Sequence, residues 1–228
     1  MRPKVAPGMN RNYYTTHTRE ITEKMKILII LAHPDNNSFN HAIADASRDR
    51  LIANGHSVAY HDLYKENFNP VIDSSEIPKQ ARIDKTIQKH CDDLISSDGI
   101  IIVHPNWWGQ PPAIMKGWID RVIRPGIAYE FEEGDNGEGA PIGLLKAKIG
   151  IVFNTSNTCA ERENNIFKDP LYTIWKNCIF DFCGVRQFER IMFRIIVTSD
   201  LRQRQLWLSE VEKMIDKHFA KIKNINGG

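Results

Sequence analysis

KILIILAHPDNNSFNHAIADASRDRLIANG, residues 26–55, decides the fold. It opens on the apolar run Ile27 to Ala32. An unbroken run of that length marks a strand buried on both faces, as in a parallel sheet. The loop His33-Pro34-Asp35-Asn36-Asn37 follows, and then Ser38, a good helix N-cap. Residues 39–54 have helical spacing, with Ile43, Ala46, Arg50 and Leu51 near one side, and Gly55 stops them. Strand, polar loop and capped helix form the first half of a βαβ unit.

Outward from that unit the alternation repeats. Residues 57–62 form a second strand, and residues 63–75 a loop. Ile83, Ile87, Cys91, Leu94 and Ile95 give the next helix an apolar stripe. Asp98-Gly99 turns the chain into a third strand, residues 100–104. Pro112 opens a helix that reaches about residue 123. Residues 147–154 form a fourth strand, 171–183 a helix ended by Gly184, 187–193 a fifth strand, and 201 to about 223 the closing helix. Five strands alternating with helices predict an α/β, flavodoxin-like, doubly wound parallel sheet of order 2-1-3-4-5. There are no internal repeats and no second domain. Residues 1–24 read as a flexible tail or swapped arm, and residues 25–228 as the folded unit.

Composition bounds the function. The net charge of +2 carries neither a nucleic-acid footprint nor the acidic surface of an electron carrier. No signal-like segment opens the chain, so a cytoplasmic location is expected. Cys91, Cys159, Cys178 and Cys183 form no C-x-x-C pair. Three of them, Cys91, Cys178 and Cys183, sit in apolar stretches, so reduced and mostly packed thiols are expected, and no metal. Lys116, Asp120 and Arg121 read as helix-surface charges, and so does His41. His17, His56, His61, His90 and His218 show no ligand spacing.

A doubly wound sheet binds ligands at the carboxyl ends of its strands. That directs attention to three loops. The first has no glycine, so it is neither a dinucleotide fingerprint nor a P-loop. It places His33, Ser38 and Asn40 before free helix N–H groups, which suit an anion. The second, His104-Pro105-Asn106-Trp107-Trp108-Gly109-Gln110-Pro111-Pro112, offers two adjacent indoles, which suit a planar ring. The third, Asn154-Thr155-Ser156-Asn157-Thr158, presents small polar donors able to stabilise negative charge. Alone, the first also reads as an ordinary capped turn, the second as Trp107 or Trp108 plugging the core or a subunit contact, and the third as a solvated loop.

Together, LAHPDNNSFNHAIA (31–44), LYKENFNPVI (63–72), HPNWWGQPPAIMKGWIDRV (104–122) and IAYEF (127–131) resemble the flavodoxin-like NAD(P)H:quinone oxidoreductases of the DT-diaphorase type. That group includes bacterial quinone and drug reductases and the ancillary reductases of potassium-efflux systems. The resemblance runs from about Lys26 to the closing helix, and PAIMKGWIDRV is its most specific part. It implies a flavin, FMN or FAD, with NAD(P)H as co-substrate and two-electron, ping-pong reduction of a small planar acceptor. His33, Ser38, Phe39 and Asn40 would hold the phosphates and ribityl chain. Pro105, Asn106, Trp107 and Trp108 would lie along the isoalloxazine, and Asn154, Thr155, Ser156 and Asn157 would face its pyrimidine end. A homodimer is implied, with Tyr129 and Phe131 covering the flavin of the partner chain. Arg202 or Arg204 would match an arginine on the adenine half. NTSNTCAERENNIFKDP (154–170) departs from the animal enzymes, which carry a Tyr and a His there, so no catalytic proton-relay residue is assigned. The rivals are a one-electron flavin carrier and a regulatory subunit of a membrane transporter.

Overall fold

The computed structural model describes residues 23–135 and 138–222. The expectation of a tail over 1–24 lies outside these residues except at Glu23 and Lys24. In chain order the elements are β1 (Lys26–Leu31), α1 (Phe39–Ala53), β2 (Ser57–Asp62), α2 (Lys85–Ile95), β3 (Gly99–Pro105) and α3 (Ala113–Val122). Then follow β4 (Tyr129–Glu130), β5 (Ile142–Gly143), β6 (Ile149–Ser156), α4 (Pro170–Tyr172), β7 (Gln187–Arg194) and α5 (Leu201–His218).

The main sheet has the order β2-β1-β3-β6-β7, every pair parallel. Counting only its own strands, that is the expected 2-1-3-4-5. The apolar runs explain it. Ile27 to Leu31 and Ile100 to Val103 are at most 1% exposed, because helices cover both faces of the sheet. One face packs Leu28, Ile30, Ile100 and Ile102 against Met115, Trp118, Trp175 and Phe180. The other packs Ile27, Ile29, Leu31, Ile101 and Phe153 against Ile43, Leu51, Trp207, Val211 and Ile215. Gly55 ends α1 at a φ of +95°, a value cheap only for glycine.

Several boundaries and faces differ from the sequence reading. The fourth strand of the sheet runs to Ser156, so much of the expected third loop is strand. The closing helix stops at His218, with Phe219 packed in the core beyond it. The expected helix over 171–183 is mostly a π-helix, Thr173–Asp181. A two-stranded antiparallel pair, β4 with β5, was not foreseen. The buried stripe of α2 is Ile87, His90, Cys91 and Leu94; Ile83 precedes the helix, and Ile95 at its end is exposed. Cys178 is exposed, because the π-turn rotates it off the apolar side, whereas Cys91 and Cys183 are buried; all four thiols are free. Burial pushes the thiols of Cys91 and Cys183 up to about 11 and about 12. Arg121 is not a surface charge. It is 4% exposed and binds Glu76, Asp84 and the carbonyl of Asn69.

Candidate functional site

The parallel sheet brings the loops after β1 and β3 and the end of β6 to one edge, and polar contacts fasten them together. Asn40 Nδ2 donates to Thr155 Oγ1 at 2.9 Å, joining the first loop to the third. The Asn106 N–H donates to the Thr155 carbonyl at 2.7 Å, joining the second to the third. The rings of His33 and Trp107 approach to 6.2 Å, joining the first to the second.

In the first loop, Asp35 makes an Asx turn by accepting from the Asn37 N–H at 2.9 Å. Ser38 caps α1 by accepting from the His41 N–H. The N–H groups of Phe39 and Asn40 have no carbonyl four residues back within the helix, and the helix dipole makes that end positive. The Phe39 ring itself lies in the core, 6.0 Å from Phe193 and 5.7 Å from Trp207, so it offers a ligand only its backbone. His41 is 9% exposed and contacts both Ser38 and Asp62, so it is not the surface residue the sequence suggested. The guanidinium of Arg204 lies 5.9 Å from the Phe39 ring. Beside it, a cavity of about 350 Å³ opens between Arg194, Ser199, Gln203 and Trp207.

The second loop is a tight hairpin. Trp107 and Gln110 exchange backbone hydrogen bonds at 3.1 and 3.0 Å, with Trp108 and Gly109 at φ +58° and +72° between them. Left-handed backbone costs a non-glycine residue about 1 kcal/mol or more. Gly109 also needs to lack a side chain, since a Cβ there would stand 2.8 Å from Pro170. Asn106 holds the turn from below: its Oδ1 accepts from the Gly109 N–H at 2.9 Å. Its Nδ2 donates to Glu163 Oε2 at 3.1 Å. The result is a Trp108 side chain fully exposed at the tip and Trp107 42% exposed beside it. Pro105 ends β3 beneath them, and its carbonyl accepts from His104 Nδ1 at 2.8 Å. Burial drives His104 down to about 4. Its Nε2 is therefore free to accept the Trp175 indole N–H at 2.9 Å.

Asn154, Thr155 and Ser156 are at most 5% exposed. Asn154 Nδ2 points at His104, Ser156 Oγ accepts from the Thr158 N–H, and Asn157 Oδ1 accepts from the Val197 N–H. Among the described residues, three buried acceptors around these loops have no partner: Asn40 Oδ1, Asn154 Oδ1 and Glu163 Oε1. Such atoms are costly unless a ligand or water completes them. Sequence reasoning missed Glu163, whose role depends on contact with a residue 57 positions away. Tyr129 and Phe131 stand with Phe182 in an aromatic cluster, ring centroids 4.8 to 6.1 Å apart.

The residues present fit a flavin. The head of α1 suits its phosphate, the unpartnered amide oxygens suit ribityl hydroxyls or a ring N–H, and the exposed indoles suit its flat ring.

A second polar cluster lies between β2 and α2. Glu66 meets His61 Nδ1 at 2.9 Å and His90 Nε2 at 3.1 Å, and Asp93 meets His61 Nε2 at 3.0 Å. His61, Glu66 and His90 bring ligand atoms within 4.8 Å of one another, a proximity their sequence spacing hid. The geometry does not suit a cation. His90 Nδ1 already accepts the Trp118 indole N–H at 3.1 Å, so a neutral ring carries its proton on Nε2, the nitrogen a cation would need. The two imidazoles also stack at 3.9 Å, so their in-plane lone pairs do not converge. Burial alone would raise Glu66, but hydrogen bonds from His61 and His90 outweigh it and bring it to about 2.

The chain belongs to the family of flavodoxin-like fold, which matches residues 25–214. An uncharacterized NAD(P)H oxidoreductase of Haemophilus influenzae is 36% identical over 203 residues, 87% of this chain and 96% of that protein. NAD(P)H dehydrogenase [quinone] 1 of Rattus norvegicus is 33% identical over 186 residues, 72% of this chain and 66% of the rat protein. Among solved structures, an NAD(P)H:quinone oxidoreductase from Methanothermobacter marburgensis superposes with a TM-score of 0.72 at 22% identity, covering 84% of this chain and 95% of that one. At that identity the likeness is one of fold. Among the described residues no helix is long and apolar enough to cross a membrane.

Proposed function

We propose that this chain is a flavin-dependent NAD(P)H oxidoreductase that reduces quinones or related small planar acceptors. The observation that carries the reading is the second loop: two indoles raised on a strained hairpin at the carboxyl edge of a doubly wound sheet. A surface aromatic held at such a cost calls for a flat ligand. The relatives named NAD(P)H oxidoreductase and NAD(P)H dehydrogenase [quinone] support the same class of reaction.

In this reading residues 25–228 form the flavin-binding unit. A bound FMN or FAD would supply the two-electron chemistry between NAD(P)H and the acceptor. The chain's own residues do the rest. The first-turn N–H groups of α1, with Ser38 and His33, bind phosphate. Asn40 and Asn154 present their unpartnered oxygens to hydroxyls or a ring N–H. The walls built by Pro105, Asn106, Trp107 and Trp108 orient the ring and exclude water from one face. Thr155, Ser156 and Asn157 keep the third loop in register with the other two. A homodimer completes the site, with Tyr129 and Phe131 covering the partner's flavin. The reading includes a cytoplasmic setting, where NAD(P)H is at hand.

The test is an anaerobic titration of the flavin-reconstituted protein with NADH and then NADPH, following the oxidised flavin absorbance. Stoichiometric bleaching that a quinone restores is expected. Bound flavin that stays oxidised would leave a carrier or a transporter subunit, and no retained flavin would overturn the site itself.

A further inference from the structure

Ser38 supplies the hydroxyl at the head of α1, and the position of its proton decides what it can offer an anion. Its Oγ lies 2.9 Å from His41 Nδ1. His41 Nε2 lies 3.0 Å from Asp62 Oδ2. Asp62 is 6% exposed, and its Oδ1 accepts from the Lys65 N–H at 3.2 Å. Both Asp62 oxygens therefore act as acceptors, and His41 Nε2 carries a proton. In a neutral ring Nδ1 is then a lone pair, and Ser38 must donate to it.

A hydroxyl has one proton. Once that proton is committed to His41 and one lone pair to the His41 backbone N–H, Ser38 shows the loop only its remaining lone pair, a repulsive face where the helix dipole would draw phosphate. Turning the hydroxyl toward a phosphate with nothing else changed would set Oγ and Nδ1 lone pair to lone pair at 2.9 Å. One additional proton on Nδ1 removes both conflicts. The ring then donates to Oγ, the hydroxyl donates to the phosphate, and the imidazolium faces the Asp62 carboxylate.

We infer that binding of a flavin phosphate at Ser38 takes up one proton from solvent onto His41 Nδ1. The inference rests on the flavin reading above and adds a pH-dependent control to that site. The titratable groups facing His41 are Asp62 on β2 and His33 in the loop after β1, whose ring stands edge-on at 6.5 Å, with Asp35 bonded to His33 beyond it. Burial, outweighing the contact with Asp35, holds His33 below the ordinary imidazole range, and its Nδ1 accepts the Asp35 N–H at 3.1 Å, whereas His41 Nδ1 faces the Ser38 hydroxyl itself. His41 is a positioning residue that acts through Ser38.

The experiment is calorimetric titration of the full-length apo-protein near pH 8 with FAD, FMN and riboflavin. Each titration is run in two phosphate-free buffers of different ionisation enthalpy. The pyrophosphate of FAD is esterified at both ends and, unlike the monoester of FMN, has no ionisation near neutrality, so FAD isolates the protein's proton. Uptake of about one proton is expected with FAD and FMN and none with riboflavin; FAD affinity should tighten by up to about tenfold per unit fall in pH. His41→Gln should bind FAD without proton uptake and with a flat pH profile. Absence of uptake by the parent protein, equal uptake with riboflavin, or unchanged uptake in His41→Gln would each overturn the inference. If His41→Gln fails to fold, His33→Gln decides it: unchanged uptake with FAD in that variant supports the inference, and loss of uptake would overturn it. Failure of all three flavins to bind would overturn the flavin reading first, and the proton link with it.

Discussion

Two regions of this molecule gather polar side chains around buried ones, and they do so in opposite ways. Between β2 and α2, His61, Glu66, His90 and Asp93 answer one another, and Trp118 takes the last ring nitrogen. At the carboxyl edge of the sheet, Asn40, Asn154 and Glu163 each keep an acceptor with no partner among the described residues, and Trp108 stands fully exposed in left-handed backbone. A cluster that satisfies itself stabilises a fold; one that does not is shaped by what it binds. The contrast separates a group of would-be metal ligands from a ligand site, which residue types alone cannot do.

The largest effect expected from breaking this contrast is in the cluster. His61→Ala empties a buried site and takes from Glu66 and Asp93 the ring they share, and should lower unfolding free energy by about 3 kcal/mol. Flavin affinity of the folded fraction should stay close to that of the parent. Chemical denaturation followed beside flavin titration checks both, and a selective loss of flavin binding would place His61 in the site.

Acid should reach both regions. His104 is held neutral by burial, with its value lowered from 6.5 to about 4. The unfolded chain therefore binds the extra proton first as pH falls. Stability contributed by neutral His104 is complete above about pH 6.5 and is lost toward pH 4, at up to about 1.4 kcal/mol per unit. His90 is lowered by burial against the pull of Glu66, and acts in the same direction. Urea midpoints measured from pH 7 to 4 should fall, and His104→Asn should flatten the slope. An unchanged slope in that variant would assign the acid sensitivity elsewhere.

A smaller effect distinguishes the stitching of the loops from their ligand contacts. Thr155→Val removes the acceptor of Asn40 Nδ2 and should cost the apo-protein about 1 kcal/mol. Added flavin should recover little of it, because Thr155 Oγ1 serves Asn40. Full recovery by flavin would mean that Thr155 touches the ligand directly.

Much of this was legible in the sequence. The strands were, because a strand buried on both faces must be an apolar run, and Ser38 was, because a cap is local. The convergence of the three loops followed from topology. What escaped was long-range polar pairing. His41 has a surface residue's spacing until Asp62 arrives from β2, and Arg121 reads as a helix charge until Glu76 folds over it. His61 and His90 meet only across the sheet-helix interface. The π-turns at Arg162–Ile166 and Thr173–Asp181 have no counterpart in the usual hydrophobic period, so the burial of Glu163 and the exposure of Cys178 were hidden.

The most direct test of the central claim, that the carboxyl-edge hairpin is strained to hold a flat flavin, is a paired measurement on Trp108→Gly. The account predicts opposite signs. Glycine accepts φ +58°, so the apo-protein should gain roughly 0.5 to 1 kcal/mol of stability, while flavin affinity falls about tenfold or more. Unchanged flavin affinity in the stabilised variant would contradict the account and leave Trp108 as an ornament of the turn.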